Sequence, residues 1–311
     1  MFIGELLKIE SEEDFSPYFF PSKVGGTPVW LSYRNVPTAK QLICKACDRA
    51  LLFLLQLYCS IDKEDCFHRT IYVFCCDNPE CYQKNYRPFL ILRTNLPRIN
   101  KYYPFEPTSG DIESFALKRL EQQLLSKFST PRHKYNRKFD EYCIIFDEIF
   151  PMQHISEQEQ TENELKKLKE LQNNNPLIFQ NSSSDFDASL IKNIEQEQQT
   201  IEKDKQFKKF HAKIKDRPKQ IIRYDRGGIP LYISKNNQPT DDDIPICPKC
   251  RQKFIFEFQI LPQLIYFLKL KEIINAKSID WGTIMIYTCP ESCSPQGVGS
   301  YTEEFVWKQD I

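Results

Sequence analysis

Eight of the twelve cysteines in this 311-residue chain fall into two groups with the spacing of metal ligands. Cys44-x2-Cys47 is followed by Cys76-x4-Cys81, and Cys247-x2-Cys250 is followed by Cys289-x3-Cys293. A tetrahedral ion needs four soft ligands, and two short Cys-rich turns brought together by a fold supply them. The C-x2-C turn lets backbone N–H groups reach the thiolates, while Asn78-Pro79 and Pro290-Glu291 tighten the opposite turns. The chemistry expected is two zinc knuckles, each of four cysteines. Cys44, Cys47, Cys76 and Cys81 would hold one ion, and Cys247, Cys250, Cys289 and Cys293 the other. A catalytic zinc keeps a position open for water, whereas four thiolates close the sphere, so both ions are expected to be structural.

Competing residues can be sorted by comparing the two groups. Cys75 and Cys76 contend for one position, but Cys75 aligns with Thr288 and Cys76 with Cys289, which favours Cys76. His68 aligns with Trp281 and reads as a structural or surface histidine. Cys59, Cys66, Cys75 and Cys143 remain as ordinary thiols. The chain has no G-x-x-x-x-G-K-[ST], G-x-G-x-x-G or G-x-S-x-G motif. Its four histidines, His68, His133, His154 and His211, offer no partnered constellation. A thioredoxin-type site has one C-x2-C pair without a second pair downstream. A non-enzymatic protein is expected.

The elements that must position these cysteines recur. Gly25-Gly26-Thr27-Pro28-Val29-Trp30 returns as Gly227-Gly228-Ile229-Pro230-Leu231-Tyr232, and Ile43-Cys44 returns as Ile246-Cys247. Nine positions past the second cysteine stands a glutamine in an apolar stretch, Gln56 in one copy and Gln259 in the other. Ile71 to Cys76 then matches Ile284 to Cys289. Four landmarks in one order read as an internal duplication. The spacing from glutamine to the third cysteine is 20 positions in the first copy and 30 in the second, which places a helical insertion at Pro262 to Ser278. The Gly-Gly-x-Pro segments read as turns into strands rather than phosphate loops, because Pro28 and Pro230 lack an N–H. Gln56 and Gln259 read as hydrogen-bonding partners across the core.

Between the copies the composition changes. From Ser156 to Lys205 there are 11 acidic residues, 6 basic residues and 13 Asn or Gln, with no glycine or cysteine, so this stretch reads as a disordered linker. Ile112, Phe115, Ala116, Leu120, Leu124 and Phe128 recur at helical spacing, Tyr142, Ile144 and Phe146 alternate as a strand does, and Phe207, Phe210 and Ile214 give an amphipathic helix stopped near Pro218. The fold expected is β-rich α+β. Residues 1–108 form a first module, 109–155 a connecting helix and strand, 156–205 an acidic, Gln/Asn-rich linker, and 206–311 a second module.

With 42 basic and 42 acidic residues the formal charge is zero, which excludes a global basic field for nucleic acid or an acidic membrane. The longest apolar run, Ala50 to Leu55, is far below a membrane span, and acidic residues interrupt any signal-peptide pattern in Met1 to Phe20. A reducing compartment is expected, where clustered cysteines bind metal rather than form disulfides. Asp241-Asp242-Asp243 and Glu303-Glu304 read as solvated faces that could also receive an Arg-rich ligand.

Several segments together carry a family resemblance: Pro21 to Leu31, Phe53-Leu54-Leu55-Gln56-Leu57-Tyr58, Phe67 to Cys76, Leu96-Pro97-Arg98, Arg223-Tyr224, Gly227 to Ser234, Phe256-Glu257-Phe258-Gln259, Asp280-Trp281-Gly282-Thr283, Tyr287 to Cys293 and Glu304 to Asp310. Over about residues 1–108 and 206–311 the chain resembles the programmed cell death protein 2 family. The resemblance implies a cytoplasmic, partly nuclear, non-enzymatic protein of ribosome biogenesis. It would act as a dedicated chaperone for the small-subunit ribosomal protein of the universal S5 type, a basic client with an Arg/Gly-rich extension. Some members carry a MYND-type zinc finger between the halves. In this chain Cys143 is the only cysteine between Tyr103 and Phe210, which places it with the finger-less branch. A neutral β-rich scaffold could hold such a client through Arg–carboxylate pairs and edge-strand addition. A monomer is expected, without membrane or direct nucleic-acid binding. The alternative is a zinc-ribbon RNA-binding factor in pre-rRNA maturation, whose basic aromatic strip would be Arg87, Arg93, Arg98 and Lys101 with Tyr86, Tyr102 and Tyr103.

Overall fold

The structure is a computed structural model that describes residues 1–8, 20–33, 35–82, 88–103, 138–148, 205–268 and 279–310. Ten strands form one closed antiparallel barrel: β1 (Phe2–Leu7), β2 (Lys23–Val24), β3 (Leu52–Tyr58), β4 (His68–Cys75), β5 (Phe89–Leu96), β6 (Tyr142–Glu148), β7 (Ile222–Tyr224), β8 (Ile255–Ile260), β9 (Thr283–Thr288) and β10 (Thr302–Gln309). Around the barrel the order is β1-β6-β2-β3-β4-β5-β10-β9-β8-β7, with β7 returning to β1. Among the described residues two helices are of α type, α1 (Lys205–Ile214) and α2 (Gln263–Phe267). The fold is thus mostly β, with less helix than an α+β reading implies.

The strands follow from their side chains. His68–Cys75 is rich in β-branched and aromatic residues and Leu52–Tyr58 and Phe89–Leu96 in leucine, and all three are buried almost throughout, as strands covered on both faces must be. Tyr142, Ile144 and Phe146 do form a strand, β6, with Ile144 buried and its neighbours more open. Phe210 and Ile214 of α1 are buried against Ile233 and Leu261. The helical pattern from Ile112 to Phe128, the linker from Ser156 to 204, and most of the Pro262 to Ser278 insertion lie outside the described residues.

Strands from both ends of the chain meet at two seams. β5 pairs β10 through Arg93↔Thr302, Leu92↔Glu303 and Ile91↔Glu304, and β1 pairs β7 through Phe2↔Tyr224, Ile3↔Arg223 and Gly4↔Ile222. A closed barrel has no sheet edge at which a partner strand could add. Every strand here has a neighbour on each side, but β10 pairs β5 only over Thr302–Glu304 and β9 only over Phe305–Gln309. The edge-strand addition expected from sequence would therefore have only short stretches outside these pairings to use.

Matched details run through the two stretches. β3–β4 carries a register shift between Phe53 and Leu55, and β8–β9 carries one between Phe256 and Phe258. Lys23 faces Gln56 as Arg223 faces Gln259. Gly25 turns in the left-handed region at φ 72°, and a Cβ there would stand 2.0 Å from the Asp140 carbonyl oxygen, so only glycine fits. The segments beyond these turns are not strands, contrary to the sequence expectation. Their backbone groups are taken by side chains instead of a ladder. The Val29 N–H donates to Gln56 Oε1 at 2.8 Å, and the Leu231 N–H donates to Gln259 Oε1 at 2.7 Å. The glutamine amides donate in return to the Pro21 carbonyl at 2.9 Å and the Leu231 carbonyl at 3.0 Å. Gln56→Leu leaves buried backbone groups unsatisfied and is expected to cost ~1–3 kcal/mol, to be measured by urea denaturation.

Candidate metal centres

Each cluster is built from a turn and a strand end. Cys44 and Cys47 sit on a turn closed by an Ile43↔Ala50 bridge, and Cys247 and Cys250 on one closed by Ile246↔Lys253. Both turns use the same bonds. The Cys44 N–H reaches the Arg49 carbonyl at 2.7 Å, and the Cys247 N–H reaches that of Gln252 at 2.8 Å. Asp48 (φ 57°) and Arg251 (φ 62°) take the left-handed conformation that reverses the chain. The second pair of ligands follows β4 in one case and β9 in the other, so the barrel itself carries Cys76 and Cys289 to the turns.

The sulfur atoms of Cys44, Cys47, Cys76 and Cys81 lie within 4.8 Å of one another, and so do those of Cys247, Cys250, Cys289 and Cys293. Separations of 3.9 Å (Cys44–Cys81), 3.5 Å (Cys47–Cys76) and 3.6 Å (Cys250–Cys289) suit a tetrahedron with bonds of ~2.3 Å, whose edges are ~3.8 Å. All twelve cysteines are free thiols. Protonation is divided within each cluster. Burial alone would raise Cys247, but the N–H groups of Cys250 and Lys249 and the neighbouring thiols bring it down to about 7. Burial drives Cys289 upward and, in the other cluster, raises Cys81 to about 12. Four thiolates packed this closely need a cation before all can ionise. Both clusters could hold a metal ion.

The other cysteines are not in these groups. Cys59, Cys66 and Cys75 are buried, and burial pushes Cys59 and Cys75 to about 12. His68 meets Tyr58 Oη at 3.0 Å through Nδ1 and stacks on Phe20.

Sequence reasoning missed two buried ion pairs. Arg69 on β4 is joined to Glu257 on β8, four strands further round the barrel, by a bidentate contact that includes Nη2 to Oε2 at 2.6 Å; both side chains are 0% exposed. Tyr224 Oη donates to Glu257 Oε1 at 3.0 Å, and the Thr288 hydroxyl donates to Oε2. Burial opposes ionisation of Glu257, but the charge and hydrogen bonds of Arg69, the Thr288 hydroxyl and the Arg226 charge hold its carboxyl at about 2. Arg93 pairs with Glu304 at 2.5 Å, again with both side chains 0% exposed. Glu304 is therefore not a solvated face, whereas its neighbour Glu303 is exposed and meets Lys45 at 2.6 Å. A signal was available: Arg69 and Glu257 are the base and the acid in strands, HRTIYVFC and IFEFQI, that are otherwise uncharged apart from His68.

The candidate RNA strip is largely occupied. Arg93 is in its ion pair, and Tyr103 is buried, donating its hydroxyl to the Leu31 carbonyl at 2.9 Å. Arg98 and Lys101 lie over the rings of Phe67 and Tyr102, while Tyr86 and Arg87 lie outside the described residues.

Fold and site together define a closed antiparallel β-barrel protein bearing two four-cysteine clusters able to take metal. Residues 3–110 match the family description "Programmed cell death protein 2, N-terminal domain", and residues 204–310 match "Programmed cell death protein 2, C-terminal putative domain". The chain is 35% identical to programmed cell death protein 2 of Bos taurus across 94% of this chain and 91% of the relative. It is 25% identical to the human programmed cell death protein 2-like protein across 91% and 88% respectively. A shorter match, 32% identical over 30% of this chain and 24% of the relative, is to the "Probable 20S rRNA accumulation protein 4" of Schizosaccharomyces pombe. No solved structure matches. The chain belongs to the programmed cell death protein 2 family.

Proposed function

We propose that the chain is a zinc-stabilised, non-enzymatic escort in ribosome biogenesis, which shields a basic small-subunit ribosomal protein of the S5 type until assembly. The observation that carries this reading is membership of a family in which one relative is named for rRNA accumulation. Zinc is the ion that four thiolates at these separations suit, and a sphere closed by four thiolates leaves no place for a reacting water. The matched shifts, turns and glutamines support descent of the two halves from one duplicated unit. The protein would work as a monomer in the cytoplasm and also the nucleus.

With only short unpaired strand stretches to offer, the escort would meet its client chiefly through surface carboxylates. Asp242 is exposed and could pair with an arginine of a basic client, and the exposed Asp241 and Glu64, which meet Lys253 at 3.2 Å and Arg98 at 3.8 Å, could exchange those partners for it. An RNA-binding role is less well supported, because Arg93 and Tyr103 are buried where a phosphate and a stacked base would need them. The test is affinity purification of the full chain with mass spectrometry across a salt series. The free ribosomal protein is expected to co-purify, with recovery falling as screening increases. Recovery of mature subunits without the free client would overturn the reading.

A further inference from the structure

The two clusters are held by different supports. At Cys76–Cys81 they are local: Tyr82 Oη donates to the Cys76 carbonyl at 2.9 Å, and the Asn78 N–H points at Cys76 Sγ at 3.4 Å. At Cys289–Cys293 the Ser292 N–H bonds locally to the Cys289 carbonyl at 3.0 Å and Arg226 donates to the Pro290 carbonyl at 2.6 Å, and further supports come from across the β5–β10 seam. Arg93, on β5, donates to the carbonyls of Ser292 at 3.1 Å and Cys293 at 2.5 Å, and to Asn95 Oδ1 at 2.9 Å. Its Nε meets Glu304 Oε1 at 2.5 Å, and Glu304 Oε2 accepts the Cys289 N–H at 3.1 Å. Asn95 Oδ1 also accepts the Ser294 hydroxyl at 2.6 Å. One guanidinium–carboxylate pair thus fixes peptide groups at both ends of the second Cys-rich turn.

We infer that Arg93 and Glu304 are positioning residues of the second metal site, which reaches full affinity only when β5 is docked on β10. The planar guanidinium meets four acceptors at once, a geometry that the single ammonium of lysine cannot reproduce. Groups that orient metal ligands typically change metal affinity by ~10–100-fold when altered. Arg93 makes its bonds at the second site, whereas the first is held within residues 76–88, by the Cys44 N–H to the Arg49 carbonyl and by Arg49 to Asp77 at 3.7 Å, with the exposed Lys45–Glu303 pair as its link to β10. The inference rests on the zinc reading above.

The experiment is a chelator titration of the zinc-loaded full chain, with thiol alkylation read by mass spectrometry at each cysteine. In the parent protein both clusters should resist labelling until chelator is added. Arg93→Lys is expected to expose Cys247, Cys250, Cys289 and Cys293 at ~10-fold or more lower chelator strength, leaving Cys44, Cys47, Cys76 and Cys81 unchanged. If Arg93→Lys does not fold, Glu304→Gln is read the same way. Gln309→Leu, on the same strand but bonded to residues 233–236, controls for general loosening of the barrel. Equal shifts in both clusters, no shift in a folded variant, or an equal shift in Gln309→Leu would overturn the inference. Clusters already labelled in the zinc-loaded parent would instead overturn the zinc reading itself.

Discussion

Stripping the metal should unfold the protein. Structural zinc contributes an apparent ~10–16 kcal/mol of folding free energy in small zinc domains, whereas whole domains are stable by only ~5–15 kcal/mol. Loss of both ions would remove more than the stability available. The damage should spread, because Cys76 follows β4 and Cys289 follows β9, strands continuous with the rest of one barrel. Chelator is expected to abolish the cooperative thermal transition seen by circular dichroism, and added zinc should restore it. An unchanged transition with metal demonstrably removed would contradict this expectation.

The second large effect is at the buried pair of Arg69 and Glu257. Glu257→Gln keeps the shape but leaves the guanidinium charge unpaired in the interior, and breaking a buried pair from one side costs ~3–5 kcal/mol. At ~2–4 °C per kcal/mol, the melting temperature should fall on the order of 10 °C. Arg69→Met combined with Glu257→Gln should lose less than the two single changes added together, since neither charge is then stranded. A pH signature accompanies the mutation. The Glu257 carboxyl is held at about 2 in the fold, against ~4.3 for an unfolded glutamate. A depressed carboxyl contributes its stability above the unfolded value and loses it as pH falls toward 2. Acid also displaces metal from thiolates, so the useful quantity is the difference between parent and variant. That difference should shrink below pH ~4.3 and hold constant above it. A gap that does not vary with pH would remove the ionised carboxylate from the explanation.

The pieces legible in the sequence were those set by local spacing. The cysteine pairs, the two glutamines and the strands they flank depend on residues close in sequence, the repeat joins the pairs into quartets, and period-2 apolar runs name a strand without naming its neighbour. The barrel order is a different kind of fact. That β5 lies on β10, or that Arg69 faces Glu257, joins residues about 200 positions apart, and alternation cannot choose among partners at that distance. The same limit misplaces charges. Glu303 and Glu304 look alike as an acidic pair, yet strand alternation sends one to Lys45 in solvent and the other to Arg93 in the interior. Arg93 reads as part of a basic strip until Glu304 and the second cysteine turn are placed around it.

The central claim concerns ions held by the eight cysteines. Elemental analysis of the full chain, purified under reducing conditions without added metal, together with native mass spectrometry, measures it directly. Two zinc ions per chain are expected, falling to one when Cys47 or Cys250 is replaced by serine. A folded, metal-free protein, or one whose cysteines are recovered as disulfides, would contradict it.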